Sequence, residues 1–151
     1  MSTFLSRKLL VPLLAFLLLD LLAVGAGMGV PIFAIPFGFL TGWFAPSVLA
    51  ETARDLRSLL RKCVAAALLT SAFTFLLMLL IWGPTAGMLF DPAADIANFG
   101  IPMILYEPVA SFIGWIVLMV VLSPFLQALA AAFASTVRLA WFPPKAVLQA
   151  G

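Results

Sequence analysis

The chain has 151 residues, 65% of them hydrophobic and 9% charged, with a mean hydropathy of +1.23. Soluble domains carry about a quarter charged residues, so a water-covered globule is excluded and part of the solvent is expected to be lipid. The net charge of +2 comes without a basic stripe interleaved with aromatics, which argues against a nucleic-acid surface. Histidine is absent, which removes the commonest general base, metal ligand and pH switch, and the single Cys63 rules out an internal disulfide framework or a cysteine zinc site.

Arg7 and Lys8 precede an apolar run from Leu9 to Ala50, broken only by Asp20 and turn-type residues. A helix of about 20 residues crosses a hydrocarbon core of about 30 Å, so this run is long enough for two crossings. Gly25, Gly27, Gly29 and Pro31 mark the turn between them, predicting spans over 9–27 and 31–50. Pro31 suits the first turn of the second span, whereas Pro36 predicts a kink. The leucine-rich first segment followed by Ala23-Val-Gly-Ala26 also has the form of a secretory signal with a cleavage site. Asp20 inside the apolar core argues for a retained span instead.

Glu51 to Lys62 is the one dense charge cluster. Arg54, Arg57 and Arg61 lie on one side and Leu56, Leu59 and Leu60 on another, predicting a short amphipathic helix. Its Arg54, Arg57, Arg61 and Lys62 are expected to contact anionic lipid headgroups, at about 1 kcal/mol each. An uninterrupted third span is predicted over 63–82. In the polar connection that follows, Asp91 as N-cap, Pro92 as first helical residue and Gly100 after the end predict a short outer helix near 91–99. Asp91, Asp95 and Asn98 would share a face of it, but calcium needs about six to eight oxygen ligands, and no metal is expected. Glu107 before Pro108 is placed to complement the dipole of the last helix. The fourth span, over 104–134, belongs to an apolar stretch too long for one straight crossing, and Pro124 predicts a kink or break. Pro143 and Pro144 end it.

The positive-inside bias orients this pattern. With four crossings and the amino terminus inside, all eight basic residues are cytoplasmic, while Asp91, Asp95 and Glu107 lie opposite. Trp43, Trp82, Trp115 and Trp141 are candidate interfacial anchors. The expected fold is an all-α polytopic membrane protein: one domain over 1–151, about four transmembrane helices, both termini cytoplasmic, in a bacterial inner membrane.

Asp20 is the candidate functional residue. It lies twelve residues beyond Lys8, about 18 Å into the membrane, where an ionised carboxylate costs roughly 2.5–3.5 kcal/mol on insertion scales. A functional reading makes it a proton- or cation-coupling group. A structural one makes it a neutral Asp bonded to a neighbouring helix through Thr70, Ser71, Thr74 or Gln127. Thr70, Thr74, Glu107 and Gln127 are secondary polar candidates. Two small-residue rows suit close helix packing: Gly38 and Gly42 with Ala34 and Pro46, and Cys63 with Ala67, Thr70 and Thr74. Cys63 reads as a packing residue, with palmitoylation as the alternative.

No Ser-His pair, metal set or Gly-rich phosphate loop is present. The expectation is a non-enzymatic subunit without cofactor, packing against partner membrane proteins or copies of itself in a bilayer with anionic headgroups at its cytoplasmic face. The alternative is a small oligomeric transporter or channel coupled through Asp20.

Overall fold

The computed structural model describes residues 7–27, 31–101 and 106–144, with side chains for 10–24, 33–101 and 106–144. These residues are helical almost throughout: α1 (Arg7–Gly27), α2 (Pro31–Leu49), α3 (Leu56–Ala86), α4 (Pro108–Val117) and α5 (Ser123–Trp141). Three stretches, Phe33–Thr52, Leu56–Phe90 and Pro108–Trp141, are long and apolar enough to cross a membrane, and α1 adds the shorter apolar stretch Leu10–Val24. Three to four long apolar helices of this kind are compatible with a membrane helical bundle. The turn predicted around Gly29 lies outside the described residues.

Two helix starts are set by acidic caps. Asp55 Oδ1 accepts the Ser58 N–H at 2.6 Å and starts α3. Glu107 accepts the Val109 N–H at 3.1 Å and the Ala110 N–H at 2.5 Å ahead of Pro108, starting α4. The Asp55 cap corrects one expectation. No separate amphipathic helix precedes a third span at Cys63, because nothing after Asp55 interrupts the turn, and Arg57, Arg61 and Lys62 belong to the opening turns of α3 itself. The outer helix predicted near 91–99 is also absent. Asp91 Oδ1 accepts the Ala93 N–H at 2.9 Å, and Asp95 caps a single 3-10 turn, Ile96–Asn98. Two caps four residues apart divide the segment into turns too short to propagate a helix.

Neither at Pro36, where a kink is expected, nor at Pro124, where a kink or break is expected, does the helical run stop. α2 continues through Pro36 and Pro46. α4 and α5 are joined by a π turn, Leu118–Leu122, immediately before Pro124. Pro124 has no N–H to donate to the preceding turn and its ring crowds that turn's carbonyls. The widened turn absorbs the defect: the Ser123 N–H reaches Leu118 O, and Ser123 Oγ donates to the same carbonyl at 2.8 Å.

Contacts fix the helix directions. α1 and α3 run parallel, since Asp20 meets Thr74 while Val24 and Met78 pack in one cluster. α3 and α5 run antiparallel, because Cys63 packs with Leu139 at one end and Met78 with Val120 at the other. α2 runs parallel to α5, with Gly38 against Gln127 and Gly42 against Ala131. The start of α1, the end of α2, the start of α3 and the end of α5 therefore share one end of the bundle. Arg54, Arg57, Arg61, Lys62 and Arg138 lie there, and Asp91, Asp95 and Glu107 lie at the other. Outward faces are apolar: Leu18 and Leu22 on α1, Leu76 and Leu80 on α3, and Phe125 and Phe133 on α5 are all exposed.

Candidate functional site

Between the two apolar clusters lies a layer of buried polar side chains. Asp20 is 2% exposed on the inner face of α1, although most of that helix points outward. Thr74 Oγ1 donates to Asp20 Oδ2 at 2.5 Å and also lies 3.2 Å from Thr70 O. Thr70 Oγ1 turns back to Ala66 O at 3.0 Å and Ala67 O at 3.1 Å. A threonine hydroxyl on a helix normally satisfies itself this way on the preceding turn. Thr74 has one hydroxyl proton to give, and the shorter contact aims it at Asp20 on a second helix, with Thr70 O the longer, competing acceptor. Of the partners expected for Asp20, the structure selects Thr74. Ser71 instead donates to Pro124 O at 2.5 Å, joining α3 to α5.

Gln127 is fully buried on the α5 turn after Pro124, and neither its amide nitrogen nor its amide oxygen has a hydrogen-bond partner among the described residues. A small cavity of about 10 Å³ is bounded by Asp20, Val24, Ala34, Phe37, Thr74 and Met78. That is the space of about one water-sized sphere. The layer thus holds one ionisable group, several hydroxyls and one amide with unused bonding capacity. It can hold a proton or a single water.

α2 closes the layer by backbone contact. A Cβ on Gly38 would sit 2.2 Å from Gln127 O, and one on Gly42 would sit 2.0 Å from Ala131 O. No side chain fits at either position, so the row of small residues brings α2 and α5 together along their main chains. Ala34 and Pro46 continue the row and are buried. Ser135 Oγ donates to Gly42 O at 3.0 Å across the same interface. Ser123 and Ser135 had no distinguishing signal as isolated serines in an apolar run. The one usable sign was that Ser135 lies four residues after Ala131, on the same face of α5.

The remaining candidates lie elsewhere. Glu107 is occupied as a cap at the acidic end and does not approach Asp20. Asp95 Oδ2 accepts the Asn98 amide N–H at 2.7 Å, and the described residues contain no group of three or more His, Cys, Asp or Glu able to hold a metal. Cys63 is 2% exposed and packs with Leu49, Leu59 and Leu139. At the basic end Lys62 Nζ donates to Thr52 O at 2.5 Å and Thr52 Oγ1 at 3.0 Å, while Arg54, Arg57 and Arg61 are exposed. Arg138 closes the end of α5, donating to Phe142 O at 2.6 Å and lying 5.9 Å from the Trp43 ring centroid. That contact puts Trp43 at the basic end of the bundle. Trp82 and Trp115 bury their indole N–H groups with no partner among the described residues, unlike an anchor aimed at an interface. Trp141 is 73% exposed.

Comparison with protein-family models, curated proteins and solved structures found no match to the chain.

Proposed function

We propose that the chain is a non-enzymatic subunit of a bacterial cytoplasmic membrane, crossing it four times with both termini inside, and that it works by packing against partner membrane proteins or copies of itself. The observation that carries this reading is the closure of the polar layer. Asp20 is bonded within the chain, and the adjoining cavity has room for about one water. The extended apolar outer faces are then the surfaces left to engage anything else. Segregation of the basic residues at one end and Asp91, Asp95 and Glu107 at the other supports the orientation. Crosslinking in native membranes, followed by mass measurement in mild detergent, tests this. A defined oligomer or co-purifying subunit is expected, and an isolated monomer throughout would overturn it.

One observation favours a second reading, a small oligomeric transporter or channel with Asp20 as its coupling site. Within the layer that contains Asp20, Gln127 is a buried amide without a hydrogen-bond partner among the described residues, and buried polar groups left unsatisfied call for an explanation such as water or an ion. Flux in proteoliposomes separates the two readings: the packing role expects no Asp20-dependent transport, and loss of flux in Asp20→Asn would establish coupling.

A further inference from the structure

An apolar groove of about 360 Å³ opens sideways between α1 and the α2–α3 pair, with walls that include Pro12, Phe16, Phe37, Phe44, Ala45 and Ala66. Its size falls in the range of built ligand sites, roughly 300–1,000 Å³. The upper end meets Phe37, the residue that also bounds the Asp20 cavity, and Phe16 packs edge-on against Phe37 at 6.3 Å. The lower end reaches Leu49 and Ala66. One helical turn below Ala66 stands Lys62, tied to Thr52 at the end of the α2 segment.

Beside that lower end, a second recess of about 360 Å³ is lined by Asp55, Arg57, Ser58, Arg61, Lys62 and Ala65. Lys62 on its wall and Ala66 in the groove are four residues apart on one face of α3, so the recess begins about one helical turn from the lower end of the groove. The recess carries three cations and one carboxylate, and that carboxylate already accepts the Ser58 N–H as the helix cap. Arg57 and Arg61 are exposed, with no hydrogen bond or ion pair among the described residues. A long apolar slot ending at a cationic recess is complementary to one amphiphile: an acyl chain with an anionic head.

The geometry points to a site for one anionic phospholipid of the cytoplasmic leaflet, its phosphate among Arg57, Arg61 and Lys62 and an acyl chain lying between α1 and α2 against Phe37. This goes beyond general attraction of a basic face to a charged leaflet, because it fixes both ends of a single lipid. It rests on the membrane reading above. Should the chain leave membranes on alkaline carbonate extraction, that reading fails. Should it stay in the membrane while showing no lipid preference, only the lipid site fails.

The test is native mass spectrometry of the full chain in detergent with added phosphatidylglycerol or phosphatidylcholine of identical acyl chains. One retained phosphatidylglycerol per chain is expected, with phosphatidylcholine bound less well. The preference should fall about fivefold for each basic residue neutralised in Arg57→Gln and Arg61→Gln. Ala15→Trp, at an exposed position on the groove wall, fills the slot and should abolish retention with the charges intact. Equal retention of the two lipids by the unaltered chain would overturn the site. Retention unaffected by Ala15→Trp would also overturn it, leaving headgroup attraction alone. If Arg57→Gln and Arg61→Gln disturb folding, raising salt on the unaltered chain reads the same charge dependence.

Discussion

Thr74 holds Asp20 across the α1–α3 interface, hydroxyl to carboxyl, at 2.5 Å. It is the polar tie between α1 and the rest of the bundle among the described residues, since the other faces of that helix point outward. Interhelical hydrogen bonds inside membranes average about 0.6 kcal/mol and reach about 1.7 kcal/mol. A double-mutant cycle of Asp20→Ala and Thr74→Val, read by unfolding in detergent, should give a coupling energy in that range. Thr74→Val alone is expected to be the more harmful of the single changes, because it leaves the buried carboxyl without its donor.

The glycines of α2 should differ sharply from one outside the contact. Gly42→Ala places a methyl 2.0 Å from the Ala131 carbonyl, so the helices must separate, at a cost above about 2 kcal/mol. Gly38→Ala meets Gln127 O at 2.2 Å and should behave alike. Gly114→Ala has open space around it and should be neutral or stabilising by about 0.5–1 kcal/mol, the usual gain from replacing a mid-helix glycine. Thermal unfolding of the three variants in one detergent checks the contrast.

Pro124→Ala is expected to restore the missing backbone donor and let the π turn revert to α. Losing the extra residue of that turn rotates α4 by about 100° relative to α5. Ser111, now buried, should become more accessible, Phe112 should move into the buried place of Ser111, and Ile113, now exposed, should turn inward. Cysteine accessibility at 111 and 113, in a Cys63→Ser background, reports the rotation. Unchanged accessibility would mean that packing rather than the proline holds the π turn.

The native thiol should be nearly silent. Cys63, at 2% exposure, can react only when the start of α3 opens. Its labelling by a maleimide should be roughly a hundredfold slower than that of a cysteine placed at exposed Leu60, the ratio set by an opening free energy of about 3 kcal/mol. Mild denaturant should close the gap.

Much of this architecture was legible as periodicity and punctuation. Gly38 and Gly42 four residues apart announced a close helix contact, and Glu107 before Pro108 announced a cap; both are local patterns with local causes. The depth of Asp20 narrowed its partners to a few hydroxyls and one amide, but the choice of Thr74 depends on α1 and α3 running parallel in register, which no local pattern encodes. The extent of α3 is less legible, because the basic cluster has the pattern of a surface helix, while the Asp55 cap that starts the long helix is a single residue. Near Asp91 and Asp95 the opposite holds. Good capping residues were present, but two so close together make turns. The groove beneath α1 left no trace in the sequence, since a wall of leucines and phenylalanines reads alike whether it faces a neighbour, a lipid or a gap.

The backbone contact between α2 and α5 also has a consequence for how the chain is made. Ser135 and Gly42 are joined across 93 residues, so α2 leaves the ribosome long before its main packing partner exists. On the membrane reading proposed above, it waits in the bilayer during synthesis with Gly38 and Gly42 uncovered while α3 and α4 are inserted. Final assembly is thus a late, post-insertion event, triggered by arrival of the last helix. Truncation before α5 should release a chain that enters the membrane yet remains open to capture by quality-control proteases.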